Sequence, residues 1–198
     1  MIKLYVVRHG ETNSNVRHTC IGHKDVPLNE TGIKQAQILA EKFRDIHLDA
    51  IYASPLSRAV STAMPTAEMK GIDIIKVGDL IERDFGDWDD LTYEEIEAKD
   101  PELYAEWRGN PQNTAFKIPG GESSDEVHER IGSAINRIIS ESDGKSILVV
   151  THLGAARHII SNVLNLTTEQ SWRFTLYNAT IACLEIDEDS KVLTRLNT

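Results

Sequence analysis

Cysteine is scarce: Cys20 and Cys183 are the two present in 198 residues. Two cannot build a disulfide framework, and no C-x-x-C pair is available for zinc or redox chemistry. Cys183 lies in the apolar run ATIACLEI and reads as a small core residue. Cys20 lacks the arginine six positions on that a cysteine phosphatase requires, since Val26 stands there. Long apolar runs are missing as well. MIKLYVVRHG offers only a short one before an arginine, too little for a secretory signal, and no stretch approaches the ~18 apolar residues of a membrane span. The expectation is a soluble, cytoplasmic protein with no membrane partner. Basic charge is also in deficit, with 21 Lys and Arg against 31 Asp and Glu and a net charge of −10. That balance argues against nucleic acid.

The acidic excess is concentrated. Residues 82–102, ERDFGDWDDLTYEEIEAKDPE, hold ten acidic and two basic side chains, so −8 of the −10 lies there. Elsewhere short apolar runs alternate with helical patterns, as in an α/β fold with a mainly parallel central sheet between helices. KLYVV (3–7) and DAIYAS (49–54) read as strands, and IDIIKV (72–77) as a third. The spacing predicts a helix over 31–46 with Ile33, Ala36, Leu39, Ala40 and Phe43 on its apolar face. PLSRAVSTAM predicts another, opened by proline and ended or kinked at Pro65. Thr92 with Glu95 and Ser123 with Glu126 have capping-box spacing. SILVVT (146–151) is the clearest strand, and ATIACLEI with KVLTRL predicts a closing antiparallel hairpin. No repeat, low-complexity tract or linker interrupts the chain. One domain over 1–198 is expected, with 82–122 inserted as a lid over one end of the sheet.

Three predicted strands end on chemistry. The first runs into Arg8-His9-Gly10, the second through Ser54-Pro55-Leu56-Ser57 to Arg58, and the 146–151 strand into Thr151-His152-Leu153-Gly154. In an open α/β sheet, ligands bind outside the carboxyl ends of the strands. Two histidines and two arginines at one rim repel one another unless an anion occupies it. Guanidinium forks match phosphate oxygens. A neutral imidazole can attack phosphorus when a hydrogen bond at its far nitrogen fixes the tautomer. A second imidazole, expected as imidazolium, and the arginines would steady the equatorial oxygens. The bland reading of each residue is a solvated strand end or a surface helix cation, and three coincident ends weigh against it.

RHGET (8–12) resembles the signature of the histidine phosphatase superfamily, the phosphoglycerate mutase-like family. The resemblance runs nearly end to end, through DVPLNETGIKQA (25–36), ASPLSRAVSTA (53–63), LIERDFGDW (80–88), GGES (120–123) and VVTHLGAAR (149–157). It implies the three-layer phosphoglycerate mutase-like fold and hydrolysis of a small phosphorylated metabolite without metal or cofactor. It implies His9 as the nucleophile that becomes a phosphohistidine, Arg8, Arg58 and His152 as ligands of the transferring group, and Asn15 as a further donor. Glu82 would be the acid that protonates the leaving oxygen and then the base that activates water, with Asp84 as its competitor in the same segment. Broad-specificity, α-ribazole and sugar phosphatases of the family are resembled about equally.

Two positions depart from the family pattern. Leu153 stands where a glycine usually follows the second histidine, and W-E-G appears as Trp88-Asp89-Asp90. Joining His9, His18 and His23 with Asp25 gives no recognisable ligand spacing, so no metal is expected. Trp88, Tyr93, Tyr104 and Trp107 could line a pocket or hold the insertion in place. The acidic insertion is expected to disfavour phosphoglycerate mutase-type transfer and to repel bisphosphates. A regulator acting on protein phosphohistidine and a non-catalytic phosphate binder are the other readings. The residues say nothing of oligomeric state.

Overall fold

Period-two alternation of apolar side chains sets up the layers. The structure is a computed structural model and describes residues 1–110 and 112–198. In chain order the first half contains β1 (Ile2–Arg8), α1 (Asn13–Val16), β2 (Thr19–Cys20), α2 (Glu30–Lys42), β3 (Ala50–Ala53), α3 (Ser57–Lys70) and β4 (Ile74–Lys76). The remainder contains β5 (Leu91–Thr92), α4 (Tyr93–Lys99), α5 (Pro101–Gly109), α6 (Ser124–Ser140), β6 (Ser146–Thr151), α7 (Leu153–Val163), β7 (Ile181–Ile186) and β8 (Lys191–Arg195).

The main sheet has the order β4-β3-β6-β1-β7-β8. Its first four strands are mutually parallel, and β7 and β8 close it as an antiparallel hairpin. Leu4, Val6, Ile147 and Val149 face a core shared with α6 and α7. Tyr5, Val7, Leu148 and Val150 face the opposite core, shared with α2 and α3. The result is a three-layer α/β sandwich with a mainly parallel sheet, as expected. A third, smaller cluster of Cys20, Trp88, Ile96, Phe116 and Ile118 packs within the 82–122 segment and the loop facing it.

Local signals mostly resolve as read. Thr92 and Ser123 cap α4 and α6 through reciprocal bonds with Glu95 and Glu126. Three expectations need correction. Ile33 is 54% exposed, while Ala36, Leu39, Ala40 and Phe43 are buried. Helix α2 docks instead through Gly32, which lies so near Glu11 and Gly10 that a Cβ there would strike backbone, and this contact turns Ile33 outward. Helix α3 also continues past Pro65 to Lys70, so the proline does not end it. The carbonyl deprived of its donor belongs to Ser61, on the exposed face, where solvent can satisfy it. Its N-cap is Leu56, so Pro55 precedes the helix rather than opening it.

Candidate active site

The parallel register places the site. Arg8 is level with Thr151 and Ala53 with Val150, so β1, β3 and β6 end together. The next residues hold that rim, with His9 N–H donating to Thr151 O at 2.8 Å and Ser54 N–H to Val150 O at 3.0 Å. The His9 and His152 rings lie 5.2 Å apart between centroids. Gly10 N–H donates to Thr62 Oγ1, which donates to Arg58 O, tying the turn after β1 to α3.

His9 is 2% exposed, and its Nδ1 lies 2.7 Å from the Gly10 carbonyl oxygen. A carbonyl only accepts, so Nδ1 carries the proton and Nε2 keeps its lone pair. Burial, then Arg58 and Arg8, hold this ring well below the ordinary histidine range. At His152, Nδ1 receives the Arg58 Nε–H at 3.2 Å and Nε2 donates to Ser54 Oγ at 2.8 Å. Burial and Arg58 depress its pKa well below 6.5 too. The second imidazole is therefore neutral as positioned, not the expected imidazolium, because it sits among cations in a dry interior.

Arg58 is fully buried behind His152, its guanidinium also donating to Gly22 O and Lys24 O. Those carbonyls belong to a loop pinned by Asp89, which accepts from Gly22 N–H and Lys24 N–H. Asp90 adopts φ 64°, the left-handed turn conformation for which the family uses glycine, and its carboxylate is held by Lys24, Ser14 and Thr19. The Trp88-Asp89-Asp90 departure thus fastens the insertion to the loop that holds Arg58.

Arg8, His9, Asn15 and Glu82 line a cavity of about 240 Å³, whereas Arg58 and His152 stand behind it. Arg8 donates through Nη1 to Leu176 O, while its buried Nε has no partner among the described residues. Asn15 Oδ1 accepts from Thr12 and Asn178, so its amide is fixed in orientation. Glu82 is 7% exposed and accepts from the Arg83, Gly154 and Ala155 N–H groups, the last two at the α7 N-terminus. A Cβ on Gly154 would press on Glu82 Oε1 and displace the carboxylate, while Leu153 lines the cavity without conflict. Asp84 is directed elsewhere, to Gly86 N–H and His23, and does not line the cavity.

Other lining residues were not singled out from sequence: Arg83, Arg108, Arg157, His158 and Trp172. Asn178, which donates to His9 O, was also missed. Of the aromatic residues, Trp88 is fully buried in the small cluster, Tyr104 packs against it, and Tyr93 and Trp107 line the cavity. Burial pushes the Cys20 thiol up to about 12, removing it as a nucleophile near neutrality. Among the described residues no group of three or more His, Cys, Asp or Glu could hold a metal ion. No described helix is long and apolar enough to cross a membrane.

A stability prediction follows from three neutral imidazoles. His158 is held down at about 3 by burial and by His128, whose Nδ1 lies 3.2 Å from its own. His9, His152 and His158 all protonate more readily unfolded, so the unfolded state binds more protons as pH falls below 6.5. Their stabilisation is complete above that value and is lost below it, each group contributing up to about 1.4 kcal/mol per pH unit. Thermal melts should show Tm dropping steeply from pH 7 to 5.5, before carboxylates titrate. A flat Tm across that interval would contradict the neutral assignment.

A family model for the histidine phosphatase superfamily (branch 1) matches residues 4–198. Phosphoserine phosphatase 1 of Hydrogenobacter thermophilus is 34% identical over 197 residues, covering 100% of this chain and 92% of that protein. The adenosylcobalamin/α-ribazole phosphatase of Salmonella typhimurium is 32% identical over 197 residues, covering 99% and 96%. Among solved structures, the α-ribazole phosphatase of Shigella flexneri superposes with a TM-score of 0.92 at 28% identity, covering 99% of this chain and 96% of that one. Strand-end histidines, an imidazole whose Nε2 is left unprotonated and end-to-end similarity agree, and the chain belongs to the histidine phosphatase superfamily.

Proposed function

We propose that this protein hydrolyses phosphomonoesters of small metabolites, with His9 Nε2 attacking phosphorus. The observation that carries this reading is the His9 Nδ1–H bond to the Gly10 carbonyl, which leaves Nε2 unprotonated beside Arg8. The P–O bond to the leaving group breaks as N–P forms, and Glu82 supplies the proton that the leaving oxygen takes. Water, deprotonated by Glu82, then attacks the phosphohistidine, releasing phosphate and restoring the ring. Arg8, His152 and the Asn15 amide bind the equatorial oxygens. Arg58 acts mainly through His152, which it orients and keeps neutral until a dianion arrives. For His152 to donate to phosphate, it must take up a proton and Nδ1 must leave Arg58 Nε.

Residues 1–198 serve as one catalytic domain, with 82–122 forming the wall that covers the site. A cavity of about 240 Å³ lies below the usual range for ligand pockets, which favours a compact metabolite over a protein side. Phosphoserine and α-ribazole phosphate, the substrates for which these relatives are named, are both candidates. The arginines facing inward also suit a second reading, transfer of the phosphoryl group between hydroxyls of one acidic substrate. The assay is p-nitrophenyl phosphate hydrolysis in EDTA with inorganic phosphate measured. Stoichiometric phosphate release, unaffected by chelation and blocked by vanadate, is expected. Dependence on a divalent cation, or phosphoryl exchange without phosphate release, would refute hydrolysis by this route.

A further inference from the structure

Glu82 is held at both ends. Its carboxylate accepts from Gly154 and Ala155 N–H at the α7 N-terminus, and its main-chain carbonyl accepts from two side chains of other segments. His23 Nε2 reaches that carbonyl at 3.1 Å and Arg130 Nη2 at 3.4 Å. Arg130 makes its shorter bonds elsewhere, to Asp79 O, Ile81 O and the Glu122 carboxylate. His23 is therefore the nearer donor at this peptide. A carbonyl only accepts, so His23 Nε2 carries a proton there.

The loop that carries His23 explains its reach. Both neighbours are fastened: Gly22 O and Lys24 O accept from Arg58, and Gly22 N–H and Lys24 N–H donate to the Asp89 carboxylate. The side chain between them crosses to the 82–84 segment, where its Nδ1 also lies 3.4 Å from Asp84 Oδ2. The two segments meet directly as well, since a Cβ on Gly22 would strike Arg83 O and the Phe85 nitrogen. A continuous path thus runs from His152 through Arg58 and the loop to Glu82 O. One end orients an imidazole of the strand rim, and the other fixes the backbone of the acid.

We propose that His23 is a positioning residue, whose Nε2–H bond to the Glu82 carbonyl holds the general acid in register with the Arg58–His152 pair. It does not line the cavity, so it acts only through Glu82. This rests on the phosphatase reading above. Without the bond, only the longer Arg130 contact restrains that carbonyl among the described residues. The acid's main chain is then freer to shift from the phosphoryl end, while Arg8, Asn15 and His152 keep their own partners. Proton delivery to the leaving oxygen should suffer, and phosphate binding should not.

The test uses two substrates of similar shape in single-turnover experiments with enzyme in excess. Phenyl phosphate releases a phenolate basic enough to need a proton, whereas p-nitrophenyl phosphate does not. His23 is exposed, so its variants should melt like the parent. His23→Ala should slow phenol release by about fivefold, the worth of one hydrogen bond, and leave p-nitrophenolate release unchanged. His23→Gln, whose amide nitrogen reaches the place of Nε2, should restore phenol release to within about twofold of wild type. His23→Asn reaches only the place of Nδ1 and should behave like alanine. Equal slowing of both substrates, phenol release unmoved by alanine, or glutamine no better than asparagine overturns the positioning role alone. So does a wild type that uses p-nitrophenyl phosphate but not phenyl phosphate, since no proton is then delivered. A wild type that hydrolyses neither overturns the parent reading and this role with it.

Discussion

Replacing His9 with alanine should reduce kcat on every phosphomonoester by at least about 10⁴-fold, the scale seen when a covalent nucleophile is removed. In the proposed mechanism the leaving-group bond breaks only as His9 Nε2 bonds phosphorus. His152 has both nitrogens engaged, by Arg58 and by Ser54, and Cys20 remains a thiol. His9→Asn is the sharper variant, because its amide can still donate to the Gly10 carbonyl but offers no nucleophilic nitrogen. It should match alanine in activity and melt nearer the wild type. The arginines would still bind phosphate in either variant, so inorganic phosphate should remain a ligand while turnover vanishes. Residual activity within tenfold of wild type would remove the covalent route.

The second large effect separates the two halves of the reaction. In Glu82→Gln the amide oxygen can keep the Arg83 and Ala155 N–H groups that now meet Oε1, giving up only Gly154 N–H. That change costs about 1 kcal/mol of stability. The chemical cost depends on the leaving group. An alkoxide departs badly without a proton, so transfer from an alkyl phosphate should slow by about 10²–10⁴-fold. The p-nitrophenolate ion needs no proton near neutrality, so transfer from p-nitrophenyl phosphate should change little. Water still needs a base, and the phosphohistidine should persist. Stopped-flow traces should show a burst of one p-nitrophenolate per site followed by slow turnover. Equal slowing of both substrate types, with no burst, would mean that Glu82 serves position rather than proton transfer.

The placement of the strand-end side chains was legible because it is local: residues that directly follow a strand share its rim once the sheet is parallel. Arg8, His9 and His152 needed nothing more, and the capping pairs at Thr92 and Ser123 were equally local. What escaped depends on how distant elements dock. Arg83 and Arg157 are ordinary cations in sequence, one among acids and one a turn and a half beyond His152. Only the packing of the insertion against α7 and the Trp172 segment turns both inward. A clue to Arg83 existed, since it is one of two basic residues in the acidic 82–102 run. A scarce cation there is a better candidate for an inward role than any of its neighbours. Ile33 failed for a related reason, because helical periodicity cannot foresee that Gly32 will meet backbone. The neutral state of His152 escaped too, since burial among guanidiniums is a property of the assembled rim.

The most direct measurement uses the hydrolysis-impaired enzyme as a trap. Glu82→Gln is mixed with p-nitrophenyl phosphate, quenched in alkali, where phosphohistidine survives, and digested for mass spectrometry. The account predicts one acid-labile phosphoryl group, on the peptide holding residues 8–12 and localised to His9. A phosphoryl group on His152 or on any other residue, or none when the burst is complete, would contradict it.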